Sequence, residues 1–375
     1  MEPLKNLINA QTVRDAAHHL ARAWPAFPRK SFESLALAGL EALELKARVL
    51  HLSVALQASL PSDFERAAAV LEASLAPPPE DDTLDALRSS EAGLAGWAVW
   101  PMTEFVARCG LNRPERALRS LHALTQRSTA EFAIRPFIEQ HPTLTFATLE
   151  EWTHDPSAHV RRLVSEGSRP RLPWGMQLKG LIADPTPTLP LLRALLDDPS
   201  EYVRRSVANH LNDIAKDHPA LVAAWVEQHL PGASARRKAL LKHASRTLIK
   251  RGDPRTLRAW GLGHGLRGTA QLKLSKRRVV LGDSLELQIA LQSQSARRQK
   301  LVIDYAVHHV KANRGTSPKV FKGWAIDLAP HASLELRKTH SLRPVTTRAY
   351  HAGRHTIELR INGRNAGEAV FNLSL

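Results

Sequence analysis

One eight-residue pattern occurs twice, 43 residues apart, and it limits the possible folds more than any other feature of the chain. The copies are Asp155–Arg162 (Asp-Pro-Ser-Ala-His-Val-Arg-Arg) and Asp198–Arg205 (Asp-Pro-Ser-Glu-Tyr-Val-Arg-Arg). An Asp side chain can accept hydrogen bonds from free N–H groups at a helix start, and Pro fits the first helical position. The pattern therefore predicts a helix after each Asp-Pro pair.

The periodicity of these two helices predicts which side of each packs inward. At about 100° per residue, the inward positions of the first helix are Val160, Leu163, Val164 and Gly167. Those of the second helix are Val203, Ser206, Val207, His210 and Ile214. The opposite faces would hold Arg162, Glu166 and Arg169 in the first helix, and Arg205, Asn209, Asn212 and Lys216 in the second. Stacked helices of this kind would present a basic surface.

Two weaker copies extend the repeat. Pro114 lies 42 residues before Pro156, and Asp253-Pro254 resembles the same helix start. A period near 43 is typical of helical hairpins of the HEAT type, which stack into a curved solenoid with an extended binding surface. We therefore predict a mainly α-helical solenoid over residues 1–260.

The last third of the chain has a different pattern. Residues 261–268 are too rich in glycine to continue a helix, and no strand precedes them as a nucleotide-binding loop would require, so we interpret them as a linker. Apolar and polar residues then alternate in segments such as 285–291 and 356–361, and the latter ends at the hairpin signal Asn362-Gly363. About seven strands over residues 269–375 predict an immunoglobulin-like β-sandwich, with Tyr350 as a candidate tyrosine corner.

The net charge is +16 and it is unevenly distributed. Residues 1–100 carry 9 Lys and Arg against 13 Asp and Glu, residues 101–268 carry 25 against 16, and residues 269–375 carry 18 against 7. A basic surface of this size favours a polyanionic partner, with nucleic acid ahead of an anionic membrane surface.

Composition also argues against several other classes of protein. Cys109 is the single cysteine, so the chain has no internal disulfide framework and no thiolate-rich zinc site, and we predict neither a metal nor a cofactor. The first residues lack a signal-peptide pattern, and no run of about 18 apolar residues occurs. We expect a cytoplasmic protein.

Three carboxylates in the basic middle of the chain are candidates for chemistry. Glu131 could instead belong to a capping box beginning at Ser128, and Glu166 could form an ion pair with Arg162, four residues earlier, worth about 0.2–0.5 kcal/mol. Asp213 is the strongest candidate, because it lies beside Ile214 at the edge of an apolar face, where loss of solvent can tune a carboxylate.

The segment Thr129–Phe137 (Thr-Ala-Glu-Phe-Ala-Ile-Arg-Pro-Phe), followed by the Asp-Pro-Ser repeats, resembles the AlkC branch of the AlkC/AlkD alkylpurine DNA glycosylases. The likeness covers about residues 95–260, and some members of that branch carry a C-terminal immunoglobulin-like domain. The resemblance implies excision of cationic N3-alkylated bases, chiefly 3-methyladenine, from duplex DNA without rotating the base fully out. It also implies that Glu131, Glu166 and Asp213 face the damaged nucleotide and that Trp174 contacts it.

The chemistry is consistent with these residue types. A base alkylated at N3 is already a cation, so its glycosidic bond breaks with little help from an acid, and carboxylates can stabilise the oxocarbenium-like sugar. Basic residues must then hold the DNA backbone. The DNA-binding candidates are Arg135, Arg161, Arg162, Arg169, Arg171, Arg204, Arg205, Lys242, His243, Arg246 and Lys250. The sandwich adds basic clusters at residues 276–278, 297–298 and 311–314, which are suited to gripping the duplex. We expect a monomer acting on DNA.

Two other classes remain open at this stage. A non-catalytic HEAT-repeat scaffold that binds nucleic acid or an acidic protein would use the same carboxylates as caps and ion pairs. A conventional base-flipping glycosylase ranks third, because no helix-hairpin-helix with a following catalytic Lys and Asp is evident. Within the glycosylase hypothesis, we expect neutralisation of Asp213 to be more damaging than neutralisation of Glu166.

Overall fold

The computed structural model describes residues 3–79, 82, 87–313, 315–345 and 348–375. Arg314, the last residue of the predicted basic cluster 311–314, lies outside these ranges. The helices are α1 Ala10–Ala23, α2 Arg29–Leu37, α3 Leu45–Ser59, α4 Phe64–Ala73, α5 Trp100–Cys109, α6 Pro114–Thr125, α7 Arg135–Gln140, α8 Pro142–Trp152, α9 Ala158–Gly167, α10 Lys179–Ala183, α11 Leu189–Ala194, α12 Glu201–Asp217, α13 Pro219–His229, α14 Ala235–Ala244, α15 Arg246–Arg251 and α16 Pro254–Ala259. The strands are β1 Gly268–Leu274, β2 Arg278–Val280, β3 Ser284–Ser293, β4 Gln299–Val310, β5 Thr316–Leu328, β6 Ser333–Ser341, β7 Gly353–Ile361 and β8 Arg364–Ser374.

The chain divides into two compact units. The first unit comprises Met1–Asp217 and Ser234–Ala244, and the second comprises His218–Ala233 and Ser245–Leu375. The second unit therefore contains helices α13, α15 and α16 in addition to strands β1 to β8. The predicted boundary at residue 260 would have assigned those helices to the solenoid.

The two copies of the repeat have the same local geometry in the first unit. Asp155 and Asp198 each accept a hydrogen bond from the N–H of the Ser two residues later, at 2.8 and 2.9 Å. The helices begin only after that serine, at Ala158 and Glu201, so the Asp-Pro pair forms a turn before the helix and does not occupy its first positions. At Asp253 the predicted geometry does occur, because its side chain caps α16 and Pro254 opens the helix.

The inward faces predicted for α9 and α12 are confirmed. Val160, Leu163, Val203 and Val207 are fully buried, and the two helices pack against each other. The opposite faces are not simply solvent-exposed as expected: Glu166 is 6% exposed, and Arg169 and Asn212 are equally inaccessible. For Glu166 and Arg169 the physical reason is that they bond to each other and to side chains of α12, as described below.

The second unit contains the predicted sandwich. Its sheets have the strand orders β1-β3-β6 and β2-β8-β7-β4-β5. All neighbours are antiparallel except the short β2, which pairs in parallel with β8. Alternate side chains of both sheets form the core, in which Leu287, Ile303, Ile357 and Leu359 are fully buried.

The Asn362-Gly363 hairpin is confirmed, and it also anchors a helix. Both residues have positive φ, 48° and 72°, in the two-residue turn between β7 and β8. A Cβ on Gly363 would lie 2.3 Å from the Cα of Gly252, at the end of α15, so only glycine permits this backbone contact. Residues 261–267 contain no helix, as predicted, but they are not loose, because Asn362 Nδ2 donates to the His264 carbonyl at 2.9 Å.

Neutral histidines are buried between the sheets. His340 Nδ1 lies 3.1 Å from the Tyr305 hydroxyl, and Arg348 donates to His309 Nε2. Burial, reinforced by the positive charge of Arg348, lowers the pKa of His309 to about 3 and that of His340 to about 4. Tyr350 packs on the His309 ring at 5.8 Å. Its role as a tyrosine corner stays a prediction, because residues 346 and 347, just before it in sequence, lie outside the described residues.

No helix in the described part of the chain combines the length and the apolar character needed to cross a membrane.

Candidate active site

The motif Thr129–Phe137 organises the site, and each side chain in it has a distinct role. Ala130, Ala133, Ile134 and Phe137 are buried and fix the segment to the core. The approach to α9 is close, because a Cβ on Gly167 would lie 2.5 Å from a methyl group of Ile134. No helix begins within this segment before Arg135, so the capping-box alternative for Glu131 is wrong.

A cleft of about 540 Å³ opens beside this motif. Its aromatic and apolar wall includes Trp97, Trp100, Phe132 and Trp174, and the Trp100 and Phe132 rings stack at 5.2 Å with an interplanar angle of 21°. Its polar wall is formed by Thr129, Glu131, Arg162, Glu166 and Arg169. Both tryptophans of the pair 97 and 100 line it.

Shared arginines connect the three predicted carboxylates in a single chain of ion pairs. Arg162 contacts Glu131 at 2.6 Å and Glu166 at 3.6 Å. Arg169 contacts the same Glu166 oxygen, Oε1, at 2.5 Å and contacts Asp213 at 2.7 Å. Lys216, at the end of this series of ion pairs, contacts Asp213 at 2.7 Å. The carboxylates thus converge, but through alternating cations whose charges balance theirs.

Glu166 is at the centre of this series of ion pairs. Burial disfavours its charge, but Arg162, Arg169 and a 2.6 Å hydrogen bond from Ser206 Oγ outweigh burial, and the pKa of the Glu166 carboxyl is lowered. Burial disfavours the charge of the Arg162 guanidinium as well, but the carboxylates of Glu131 and Glu166 outweigh burial, and the pKa of Arg162 is raised. The same guanidinium stacks over the Tyr202 ring at 4.9 Å. The i,i+4 ion pair between Arg162 and Glu166 is present, but at 3.6 Å it is the longest contact in this series of ion pairs. It therefore does not explain why the three carboxylates are connected.

The free oxygen atoms distinguish the three carboxylates. Both oxygens of Glu166 and both of Asp213 accept hydrogen bonds or ion pairs. Glu131 Oε2 accepts from Thr129 and Arg162, whereas Oε1 has no partner within the described residues. Asp213 has a side chain only 3% exposed and does not belong to the cleft wall. Arg169, which does line the cleft, binds Asp213, and the expectation that neutralisation of Asp213 is more damaging than that of Glu166 stays a prediction.

Trp174 is 60% exposed at the edge of the cleft, on the loop between α9 and α10. Its φ is 65°, a left-handed conformation that a bulky side chain seldom adopts. Lys46 Nζ donates to its carbonyl at 2.7 Å. The indole is therefore not part of the core.

Four of the predicted DNA-binding arginines form hydrogen bonds within the protein: Arg135, Arg161, Arg169 and Arg204. Arg135 is fully buried, and Arg169 is bound to Glu166 and Asp213. Arg161 donates to the carbonyls of its own Asp-Pro pair and makes a two-contact ion pair with Asp198 of the next copy. Arg204 repeats the bonds to its own Asp-Pro carbonyls. The first arginine of each Arg-Arg pair is therefore a structural residue of the repeat.

The remaining basic candidates are more accessible. Arg205 is exposed and forms no ion pair with any described residue. Arg171 is paired with Asp217, and its side chain is 31% exposed. Lys242 is exposed on α14, where His243 Nε2 contacts Asn209 at 2.9 Å. Arg246 and Lys250 are half-buried on α15, which belongs to the other unit.

Sequence reasoning missed several residues that complete the site. Thr129 and Ser206 hold Glu131 and Glu166, and Phe132 builds the aromatic wall. Tyr202, which belongs to the second Asp-Pro-Ser copy, packs its ring against the Arg162 guanidinium. Its position in that copy, one residue before the inward-facing Val203, is the sequence feature that could have identified it.

The fold and the cleft together define a HEAT-like repeat protein with a C-terminal immunoglobulin-like sandwich and a carboxylate-lined site in its helical part. Residues 125–246 match the DNA alkylation repair enzyme family, and residues 268–375 match the C-terminal Ig-like domain of uncharacterised protein YhaZ. The chain is 36% identical over 365 residues to YhaZ of Bacillus subtilis (strain 168), covering 97% of each. It is similar over the full length of both chains to Pseudomonas fluorescens alkylpurine DNA glycosylase AlkC bound to DNA containing an abasic site analog, with 35% identity and a TM-score of 0.89. The chain belongs to the AlkC family of alkylpurine DNA glycosylases, enzymes of DNA alkylation repair, as its motif and repeats predicted.

Proposed function

We propose that this protein hydrolyses the N-glycosidic bond of cationic N3-alkylated bases in duplex DNA, with 3-methyladenine as the first substrate. The observation that carries the proposal is the shared cleft, which is lined by Glu131, Glu166 and aromatic side chains that include the exposed indole of Trp174. A cation bound there would meet both carboxylates and π faces, and both attract positive charge. The base leaves without full rotation out of the duplex.

The reaction proceeds with the electrons of the C1′–N9 bond moving into the purine. The alkylated base is thereby neutralised, and the positive charge passes to the sugar. Glu166, whose lowered pKa keeps it ionised, stabilises that charge. Glu131 accepts the proton of the attacking water through Oε1, the carboxylate oxygen without a protein partner within the described residues. Asp213 acts through Arg169, which it holds in place.

Base release from the intact protein tests this function. Methylated duplex should release 3-methyladenine under single-turnover conditions, and Glu131→Gln should slow that release by about 10²–10³ while DNA affinity changes little. Fluorescence of 2-aminopurine placed beside the lesion should stay low if the base remains stacked. Release at the uncatalysed rate would reject the enzyme, and bright 2-aminopurine would reject the non-flipping mode.

DNA binding is proposed to involve both units. In the first unit the candidates are Arg162 and Arg205, the second arginines of the two pairs, together with Arg171 and Lys242. In the second unit a cleft of about 220 Å³ is lined by the basic residues Arg267, Arg297, Arg298 and Lys300. Such a concentration of cations suits phosphate groups.

The salt dependence of binding tests the role of the sandwich. Each lost phosphate contact should reduce the slope of log K against log salt by about 0.9, so the double variant Arg297→Ala, Arg298→Ala should lose about 1.8. Arg354→Ala removes an exposed charge from the same sandwich outside this cleft and should leave the slope nearly unchanged. Equal slopes in all three proteins would remove the sandwich cleft from the DNA interface.

A further inference from the structure

A buried arginine fastens the loop that carries Trp174. Arg135 Nη1 donates to the carbonyls of Gly167 and Arg169 at 2.7 and 2.8 Å, and Nε donates to the carbonyl of Met176 at 2.7 Å. These carbonyls lie at the two ends of the loop, on either side of Trp174. One guanidinium therefore joins both ends of the loop to the motif that carries Glu131.

This arrangement is costly, which argues that the loop geometry is needed. Arg135 has no carboxylate in contact, its Nη2 has no hydrogen-bond partner in the described structure, and its side chain is fully buried. Burial and the charge of Arg169 lower its pKa to about 10. A bulky residue at positive φ also persists only where its surroundings hold it. Trp174 has such a backbone, and Lys46 holds its carbonyl from the other side.

We infer that Arg135 is a positioning residue, which acts together with Lys46 to hold the loop 167–176 so that the Trp174 indole stands at the edge of the carboxylate cleft. The expected effect of Arg135 on base excision rests on the proposed function. The expected effect of Arg135 on the position of the Trp174 indole does not. Arg135 sets the orientation of an aromatic contact without itself touching DNA. Its place in the Thr129–Phe137 motif links the carboxylate of Glu131 to the aromatic contact through one short segment.

The chain provides a matched control. Arg48 is also buried, 4% exposed, and also donates to backbone carbonyls, those of Lys5, Ile8, Glu41 and Leu43. Its contacts do not include the Trp174 loop. Arg48→Lys therefore removes a carbonyl-binding guanidinium that makes no contact with the loop.

The first measurement reports on the indole directly. Trp174 is the only one of the eight tryptophans that is mostly exposed, so acrylamide quenching that disappears in a Trp174→Phe partner variant belongs to it. Arg135→Lys should change that quenching and Arg48→Lys should not. If Arg135→Lys does not fold, Lys46→Met, on an exposed side chain, should change it instead. Unchanged Trp174 quenching in the folded variant overturns the inference, whether or not the protein excises bases.

The second measurement connects position to chemistry. A displacement of about 1 Å can cost about 10² in rate, so Arg135→Lys should slow single-turnover excision by about 10- to 100-fold with DNA affinity within about twofold of the parent. In a Trp174→Ala background the same change should slow excision no further, because its effect passes through the indole. Fully multiplicative slowing would assign Arg135 a general structural role and overturn the inference. A parent protein without excision activity would instead reject the proposed function and leave the quenching result to judge Arg135.

Discussion

Neutralising Glu166 is the sharpest test of whether the carboxylates joined by ion pairs contribute to the excision rate. Glu166→Gln keeps the shape of the side chain and one acceptor for Ser206, but it removes the negative charge between Arg162 and Arg169. Two unit charges 4 Å apart interact by about 4 kcal/mol at an effective dielectric constant of 20. Loss of one such group from a transition state typically costs about 2.7–4 kcal/mol, or about 10²–10³ in rate.

The cost to folding should be smaller than the cost to the rate. Arg169 keeps its contacts with Asp213, and Arg162 keeps Glu131, so neither cation is left unpaired. The lost charged hydrogen bond is worth about 1.5–3 kcal/mol, which should lower Tm by several degrees. Because the pKa of Glu166 is lowered, its stabilising charge is present above its ordinary pKa and is lost only as pH falls through the folded value. The contribution of Glu166 to the excision rate should therefore be constant between pH 7 and 5.

Asp198→Asn is the matched control. Asp198 has a side chain 3% exposed, forms a comparable ion pair with Arg161 at 2.7 Å, and does not belong to the cleft wall. It should lose a similar amount of stability yet excise 3-methyladenine at nearly the parental rate. The reasoning is refuted if single-turnover rates of the two variants fall in proportion to their losses in Tm, or if Glu166→Gln remains within a few-fold of the parent.

Two further predictions concern the repeat and the sandwich. Arg205→Ala should weaken binding to damaged and undamaged duplex alike at unchanged Tm, whereas Arg204→Ala should lower Tm with little effect on affinity. Binding titrations and melting curves measure the two effects separately. The reverse pattern would contradict the assignment of Arg204 to stability and of Arg205 to DNA binding. The sandwich should lose stability as pH falls below 6.5, because the unfolded chain binds protons that buried His309 and His340 cannot, at about 2.6 kcal/mol for each by pH 4.5. Urea midpoints should show a weaker pH dependence in His340→Gln than in the parent, and an identical dependence would exclude this histidine as a cause.

The sequence predicts much of the fold because its decisive signals are local. The Asp-Pro-Ser copies and the apolar period define α9 and α12, and Asn362-Gly363 defines a hairpin from two adjacent residues. The three carboxylates could be selected by resemblance to the AlkC family. Their convergence could not be derived from local patterns, because Arg162 and Arg169 join residues separated by more than 30 positions.

Adjacent arginines show where local reasoning ends. Arg161 and Arg162 have the same chemistry, and a repeat marks both, but only the fold shows that Arg161 binds Asp198 while Arg162 lines the cleft. Arg135 is a stronger example, because its partners are carbonyl groups, which every residue possesses and no sequence pattern identifies. A basic residue in a charged region was therefore assigned to the surface although it is fully buried.

The backbone of Trp174 implies that stability and activity have different optima in this protein. A non-glycine residue in the left-handed region sacrifices about 1–2 kcal/mol, and an indole 60% exposed recovers little of that by burial. Trp174→Gly should consequently melt above the parent while excising bases more slowly. Laboratory selection for heat resistance alone would then discard this tryptophan early, whereas selection for survival under alkylating agents would restore it.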